Sequence, residues 1–294
     1  MQSSDHHVMT LMAGPGAGRA VPDIAVEIAN KLGSTVDWLA PGVACDIAHV
    51  DPAAETAARA AIGAAPIDVL VQPAAERRKR LLVADMESTI IENEMLDELA
   101  EFVGLREHVA EITRRAMNGE LDFEAALRER VALLKGLSAG VLDEAAQRIR
   151  IMPGARALVA TLRANGARSA LVSGGFRVFA ERVAGEVGFD DVVANRLDIA
   201  DGHLAGTVHP PIVTRDTKRE TLLRLAAEHR LPLAATLAVG DGANDLPMLE
   251  AAGLGVAFRA KPAVAAAARW RLDHADLTGL LYAQGYRQQE IREG

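Results

Sequence analysis

Two segments far apart in this 294-residue chain hold residues suited to phosphoryl chemistry. Leu81-Leu82-Val83-Ala84-Asp85-Met86-Glu87-Ser88-Thr89 is an apolar run that ends on a carboxylate. Leu237-Ala238-Val239-Gly240-Asp241-Gly242-Ala243-Asn244-Asp245 repeats the design. In each, a buried strand would deliver acidic side chains to its C-terminal end, where open parallel sheets bind ligands. Carboxylates gathered from separate strands repel one another unless a cation joins them. The reading that follows is a Mg²⁺ site with an aspartate nucleophile.

Asp85 could attack phosphorus and form an aspartyl-phosphate, splitting one hard hydrolysis into two easier steps. Glu87, two residues on, could protonate the leaving alkoxide and then deprotonate the water that opens the intermediate. Ser88 and Thr89 offer hydroxyls for phosphate binding or loop closure. Ser173-Gly174-Gly175 offers a hydroxyl and glycine amides, expected at a helix N-terminus, as a phosphate cradle. Lys218 opens a helix, where its charge opposes the helix dipole. Neutralising a phosphoryl group would explain that placement. In Gly240–Asp245, two carboxylates and an amide crowd a turn, and oxygen ligands suit Mg²⁺. Each segment alone has an ordinary reading: a loop carboxylate, a common turn, a surface lysine, an Asx-rich helix cap. Their joint order, each at a strand end or helix start, argues for one shared site.

The positioning elements follow from periodicity. Residues 8–73 read as strand, helix, strand, strand, helix, strand, a small α+β module. Val36–Val50 is strand-like and interrupted at Pro41-Gly42. Cys45 reads as a small apolar filler in a strand. The charged run Glu76–Arg80 reads as a solvated linker. Glu94–Arg150 shows only helix-period segments, so a helical cap should sit over the first catalytic strand. From Pro153 onward strands and helices alternate, which implies a doubly wound parallel sheet. The expected domains are 1–76 and 77–294, with the cap at about 94–150. The polar tail from Ala283 to Gly294 is expected to fray.

Composition narrows the class. The chain is 50% hydrophobic and 24% charged, a globular profile. Its net charge of −8 argues against general nucleic-acid binding. One cysteine excludes an internal disulfide framework. No apolar run approaches a membrane span. No basic-then-apolar leader opens the sequence, so a soluble, cytoplasmic protein is expected.

These residues resemble the haloacid dehalogenase-type phosphatase superfamily, and within it the phosphoserine phosphatases. The resemblance runs from about Leu81 to Gly279 on D-M-E-S-T, S-G-G-F, a helix-borne Lys and G-D-G-A-N-D-L-P-M. In the cap it rests on Glu92-Asn93-Glu94, on the segment 114–123 and on Leu127–Lys135. It implies a HAD-like Rossmannoid domain and Mg²⁺-dependent hydrolysis of O-phospho-L-serine, the last step of serine synthesis. Asp85 would be nucleophile and metal ligand. Glu87 would serve as acid and base and give its backbone carbonyl to the metal. Asp241 would ligate the metal, and Asp245 would support the metal's waters. Ser173, Gly174, Lys218 and Asn244 would hold the phosphoryl group. Glu94 would meet the substrate ammonium, Arg130 its carboxylate, and Phe123 would close the pocket. A zwitterionic substrate needs such an acid and such an arginine fork. The N-terminal module looks like the small ACT-like domains found ahead of such enzymes, open to ligand binding or homodimerisation. The family has Asp where this chain has Glu87. The added methylene moves the carboxyl by roughly 1 Å, a displacement that can be costly in catalysis. Other small phosphorylated amino acids, or a weakly active phosphoserine- or serine-binding regulator, are the competing readings.

Overall fold

The computed structural model describes residues 6–17, 20–117 and 120–294. Asn118 and Gly119 of the cap segment lie outside them. The first unit runs β1 (His7–Ala13), α1 (Ala20–Lys31), β2 (Val36–Ala40), β3 (Ala44–Val50), α2 (Ala54–Ile62) and β4 (Ile67–Pro73). Its antiparallel sheet has the order β2-β3-β1-β4, a βαββαβ ferredoxin-like arrangement. Strand alternation divides its side chains between two cores. Met9, Leu11, Cys45, Ile47, Val69 and Val71 pack under α1 and α2. Met12, Ala44 and Leu70 face the other way and join the core of the main body.

The main body starts with β5 (Leu81–Ala84). Four cap helices follow: α3 (Met95–Glu101), α4 (Arg106–Met117), α5 (Phe123–Ala132) and α6 (Val141–Ala146). The alternating part then runs α7 (Ala155–Ala164), β6 (Arg168–Phe176), α8 (Arg177–Val187), β7 (Asp191–Ala200), β8 (His203–His209) and α9 (Arg215–Glu228). It ends with β9 (Thr236–Gly240), α10 (Leu246–Ala251), β10 (Leu254–Phe258), α11 (Pro262–Ala267), β11 (Trp270–Leu272) and α12 (Gly279–Ala283). The sheet order is β11-β10-β9-β5-β6-β7-β8, parallel except for the β7–β8 hairpin. Leu82, Ala84, Leu171, Leu237 and Val239 face one core, and Leu81, Val83, Ala170, Val172 and Ala238 the other. Burial on both faces explains why these strands are continuous apolar runs. No helix among the described residues is long and apolar enough to cross a membrane.

Three expectations are corrected. The run Glu76–Arg80 is not a solvated linker. Arg77 forks onto Asp46 (2.7 and 3.0 Å) and also donates to Thr10 Oγ1 and Ala283 O. Lys79 is buried and donates to the carbonyls of Glu76 and Ala234. The guanidinium of Arg78 covers the Tyr286 ring. Arg77 and Lys79 satisfy backbone carbonyls where the two units meet, while Arg78 pairs with Glu290. The tail does not fray either. Tyr286 is buried, Arg287 holds Asp37 and Trp38 O, and Arg292 N–H donates to Thr161 Oγ1. A polar tail is ordered here because its side chains and backbone find partners on both units. The third concerns Ser173-Gly174-Gly175, which belongs to β6 rather than to a turn beyond it, because the strand resumes pairing at Phe176, and it lies immediately ahead of α8, whose N-cap is Phe176.

Candidate active site

β5 lies between β9 and β6, so their C-terminal ends open side by side. Asp85 leaves β5 with its N–H still donating to Val239 O (3.0 Å). The chain then turns tightly through Ser88, at φ 56°, and Ile90 N–H returns to Met86 O (2.8 Å). The turn aims Glu87 and Ser88 at the cap. Glu87 Oε1 accepts from Met95 N–H (2.8 Å) at the start of α3. Ser88 Oγ donates to Glu94 Oε1 (2.6 Å).

Lys218 projects from the first turn of α9 into the gap between β5 and β9. Its ammonium donates to Asp85 Oδ1 (2.5 Å) and Asp245 Oδ1 (2.6 Å). Asp245 Oδ2 accepts from the amides of Asp241 (3.2 Å) and Gly242 (2.9 Å), which winds the turn after β9. Lys261, beyond β10, donates to Asp241. Asp85, Asp241 and Asp245 each present an oxygen within 4.8 Å of the others.

The cap supplies the facing wall. Arg130 is buried on α5, with Nε on Ala126 O (3.0 Å) and Nη1 on Thr113 Oγ1 (2.7 Å). Its remaining donors are those available to the cavity. Phe123 lies over Gly174 so closely that a Cβ there would sit 2.5 Å from its Cζ. A Cβ on Gly175 would likewise meet Glu87 Oε2 at 2.5 Å. At both positions any side chain would have to displace Phe123 or Glu87, so the glycines fit by close approach rather than by backbone angle.

One cavity is lined by Asp85, Glu87, Glu94, Phe123, Arg130, Gly174, Asp241 and Asn244, along with Leu96, Leu127, Gly175 and Phe176. Ser173, Lys218 and Asp245 do not line it. Ser173 is fully buried, and its Oγ accepts from Gly175 N–H (2.8 Å). Thr89 is buried and its Oγ1 has no partner. Lys261 had no place in the sequence reading. Its signal was available, since it follows the apolar run Leu254–Phe258 at the C-terminal end of a parallel strand, as Asp85 and Asp241 follow theirs.

Five carboxyl groups (Asp85, Glu87, Glu94, Asp241 and Asp245) share this region with three cations, Lys218, Lys261 and Arg130. Burial pushes Asp85 up to about 8, with Asp245 adding and Lys218 opposing. Burial pushes Asp241 up to about 7 against the pull of Lys261. Burial and then Glu94 raise Glu87 well above the usual carboxylate range. Burial raises Glu94, opposed by Lys261 and Ser88. Burial by itself would lower Lys218, but Asp245 and Asp85 outweigh it and hold the ammonium above its ordinary value. The protein's own cations therefore do not balance these acids: with Glu87 protonated, four carboxylates still face three cations. A divalent ion with oxygen preference fits that deficit. Asn244 fits it too, because its Oδ1 is buried at the cavity without a hydrogen-bond partner.

Comparison with known proteins bears on this geometry. A family model described as haloacid dehalogenase-like hydrolase matches residues 82–250. The chain is 46% identical to a phosphoserine phosphatase of Lactococcus lactis subsp. lactis, over 69% of this chain and 94% of that one. It is 40% identical to a phosphoserine phosphatase of Streptomyces coelicolor, over 97% of this chain and 72% of that one. A solved phospho-aspartyl intermediate analogue of phosphoserine phosphatase superposes with a TM-score of 0.67 at 39% identity, covering 70% of this chain and 98% of that one.

Proposed function

Since the chain belongs to the haloacid dehalogenase-like hydrolase family, we propose that it hydrolyses O-phospho-L-serine to L-serine and phosphate, the last step of serine synthesis. One observation carries the reading. A single cavity is lined by a carboxylate able to attack phosphorus, Asp85, and by an opposite-charge pair, Glu94 and Arg130, complementary to an amino-acid zwitterion.

Arg130 takes the substrate carboxylate and Glu94 its ammonium, with Phe123 shielding the pocket from water. Gly174, Lys218 and Asn244 hold the phosphoryl oxygens, and Ser173 acts on them through the turn it braces. Asp85 attacks phosphorus while the serine alkoxide leaves. Glu87, kept protonated by its raised pKa, gives that alkoxide its proton. The carboxylate so formed takes a proton from the water that opens the Asp85 acyl phosphate, and phosphate departs. Mg²⁺ would be held by Asp85, Asp241 and the Glu87 carbonyl. Asp245, whose oxygens are taken by Lys218 and backbone amides, would act through waters. Bound there, Mg²⁺ would offset the charge of the phosphoryl oxygens and of the Asp85 carboxylate. We read residues 1–76 as an ACT-like module, a reading supported by their βαββαβ order.

The test is phosphate release from O-phospho-L-serine with Mg²⁺ and with excess chelator, beside p-nitrophenyl phosphate and phosphothreonine. Selective release that needs Mg²⁺ is expected. Binding of phosphoserine without release would replace this reading by that of a sensor.

A further inference from the structure

In the pairing of β6 with β7, Ser173 faces Ala194 and Phe176 faces Asn195. Gly174 and Gly175 are therefore extra residues on β6, a bulge in the ladder. Bulges re-aim backbone groups and leave some without ladder partners. This one brings both glycines to the wall of the cavity. It also leaves the Gly174 carbonyl in need of a donor. Asn195, 1% exposed, provides it through Nδ2 at 2.7 Å. The other end of the same amide, Oδ1, accepts from Val213 N–H at 2.8 Å.

Val213 precedes Thr214, the N-cap of α9. Thr214 and Thr217 form a reciprocal capping box, and Lys218 N–H donates to Thr214 O (3.2 Å). The amide of Asn195 thus spans the two segments that face the phosphoryl position, one from the end of β6 and one from the loop that leads into α9. We infer that Asn195 is a positioning residue that sets the Gly174 backbone and the start of the Lys218 helix relative to each other. It does not line the active-site cavity and would touch no substrate there. The inference rests on the phosphatase reading, because it takes those two segments as the phosphoryl cradle.

A loosened cradle should weaken whatever binds as phosphate and spare whatever binds as amino acid. In Asn195→Ala, turnover should fall roughly 10²-fold, the scale of a misplacement near 1 Å. Inhibition by inorganic phosphate should weaken at least about tenfold, as the two segments no longer hold one geometry. Inhibition by L-serine, read by Glu94 and Arg130 in the cap, should not change. Asn195→Asp keeps the volume and the acceptor for Val213 N–H but loses the donor to Gly174 O. It should show the same split.

A role limited to stability predicts a lower Tm with turnover per folded molecule and both inhibition constants unchanged, and that result overturns the proposal. Equal weakening of phosphate and L-serine inhibition overturns it too. Hydrogen exchange on the wild-type protein gives a second measurement that needs no variant. Inorganic phosphate should slow exchange at 174–176 and at 213–218 together, and slowing at only one segment refutes the coupling. If the wild type hydrolyses p-nitrophenyl phosphate but not phosphoserine, the substrate assignment fails. The Asn195 test then still stands on the aryl ester and inorganic phosphate.

Discussion

Replacing Arg130 by alanine should change what the site selects far more than how it cleaves phosphate. The guanidinium is buried, with Nε and Nη1 committed to Ala126 O and Thr113 Oγ1. Its free donors should meet the substrate carboxylate as charge-assisted hydrogen bonds, worth about 1.5–3 kcal/mol each. Loss of one or two such bonds costs roughly 10- to 10⁴-fold in kcat/KM for phosphoserine. Desolvation acts in the same direction. Glu87, Asp97 and Glu94 all lose a compensating cation, since each sits in the field that opposes the burial-lowered pKa of Arg130. Arg130→Lys should recover little, because one ammonium cannot hold Ala126 O and Thr113 Oγ1 and still present a planar fork. The assay is kcat/KM for O-phospho-L-serine beside p-nitrophenyl phosphate, which has no carboxylate to lose. A fall of equal size on both esters would refute the recognition argument. Full recovery by lysine would refute the geometric part of it.

Asp85→Asn should abolish turnover and should also flatten the pH dependence of stability in the metal-free protein. Because burial raises the folded-state pKa to about 8, protonated Asp85 favours the fold at low pH. That contribution is lost as pH rises from the ordinary carboxylate range through about 8. Tm measured in chelator from pH 5 to pH 8 should fall more steeply for wild type than for the variant, and parallel curves would remove the argument. Glu87→Asp withdraws the carboxyl from Met95 N–H at the cap. Turnover should rise with Mg²⁺ affinity unchanged while stability drops by about 1 kcal/mol. An unchanged rate would show that the extra methylene does not matter. Arg77→Met breaks an ion pair with Asp46 in which the two side chains are 14% and 10% exposed. Unfolding free energy should fall by about 3–5 kcal/mol with phosphatase activity per folded molecule intact, as read by denaturant titration. A loss well below that range would mean that the contact between the two units does not depend on Arg77.

Legibility in the sequence tracks the range of the signal. Val83-Ala84-Asp85 and Val239-Gly240-Asp241 could be read locally, because an apolar run ending in a carboxylate already states strand, burial and position. The same holds for the cap, whose helix-period apolar residues need no partner to be recognised. Asn195 could not be read in this way. In the sequence it is a polar residue in a polar stretch, and its importance comes from Gly174 and Val213, both 18 or more residues away. The strand end before Lys261 was legible in the sequence, but its pairing with Asp241 depends on β10 lying beside β9. Arg77 and Lys79 were misread because a charge run with no visible partner looks solvated, whereas their acceptors are Asp46 and the carbonyls of Ala283 and Ala234.

By itself, then, the sequence determined the kinds of chemistry present, the alternation that makes a parallel sheet, and the strand ends to which acidic groups are delivered. These depend on residue type, period and short spacing, which neighbouring residues along the chain specify. Only the tertiary structure decided how the charges pair, which backbone groups a bulge frees, and which side chains satisfy them. Those outcomes depend on burial and on hydrogen-bond partners drawn from distant strands, where a few ångströms separate an ion pair from an unsatisfied charge.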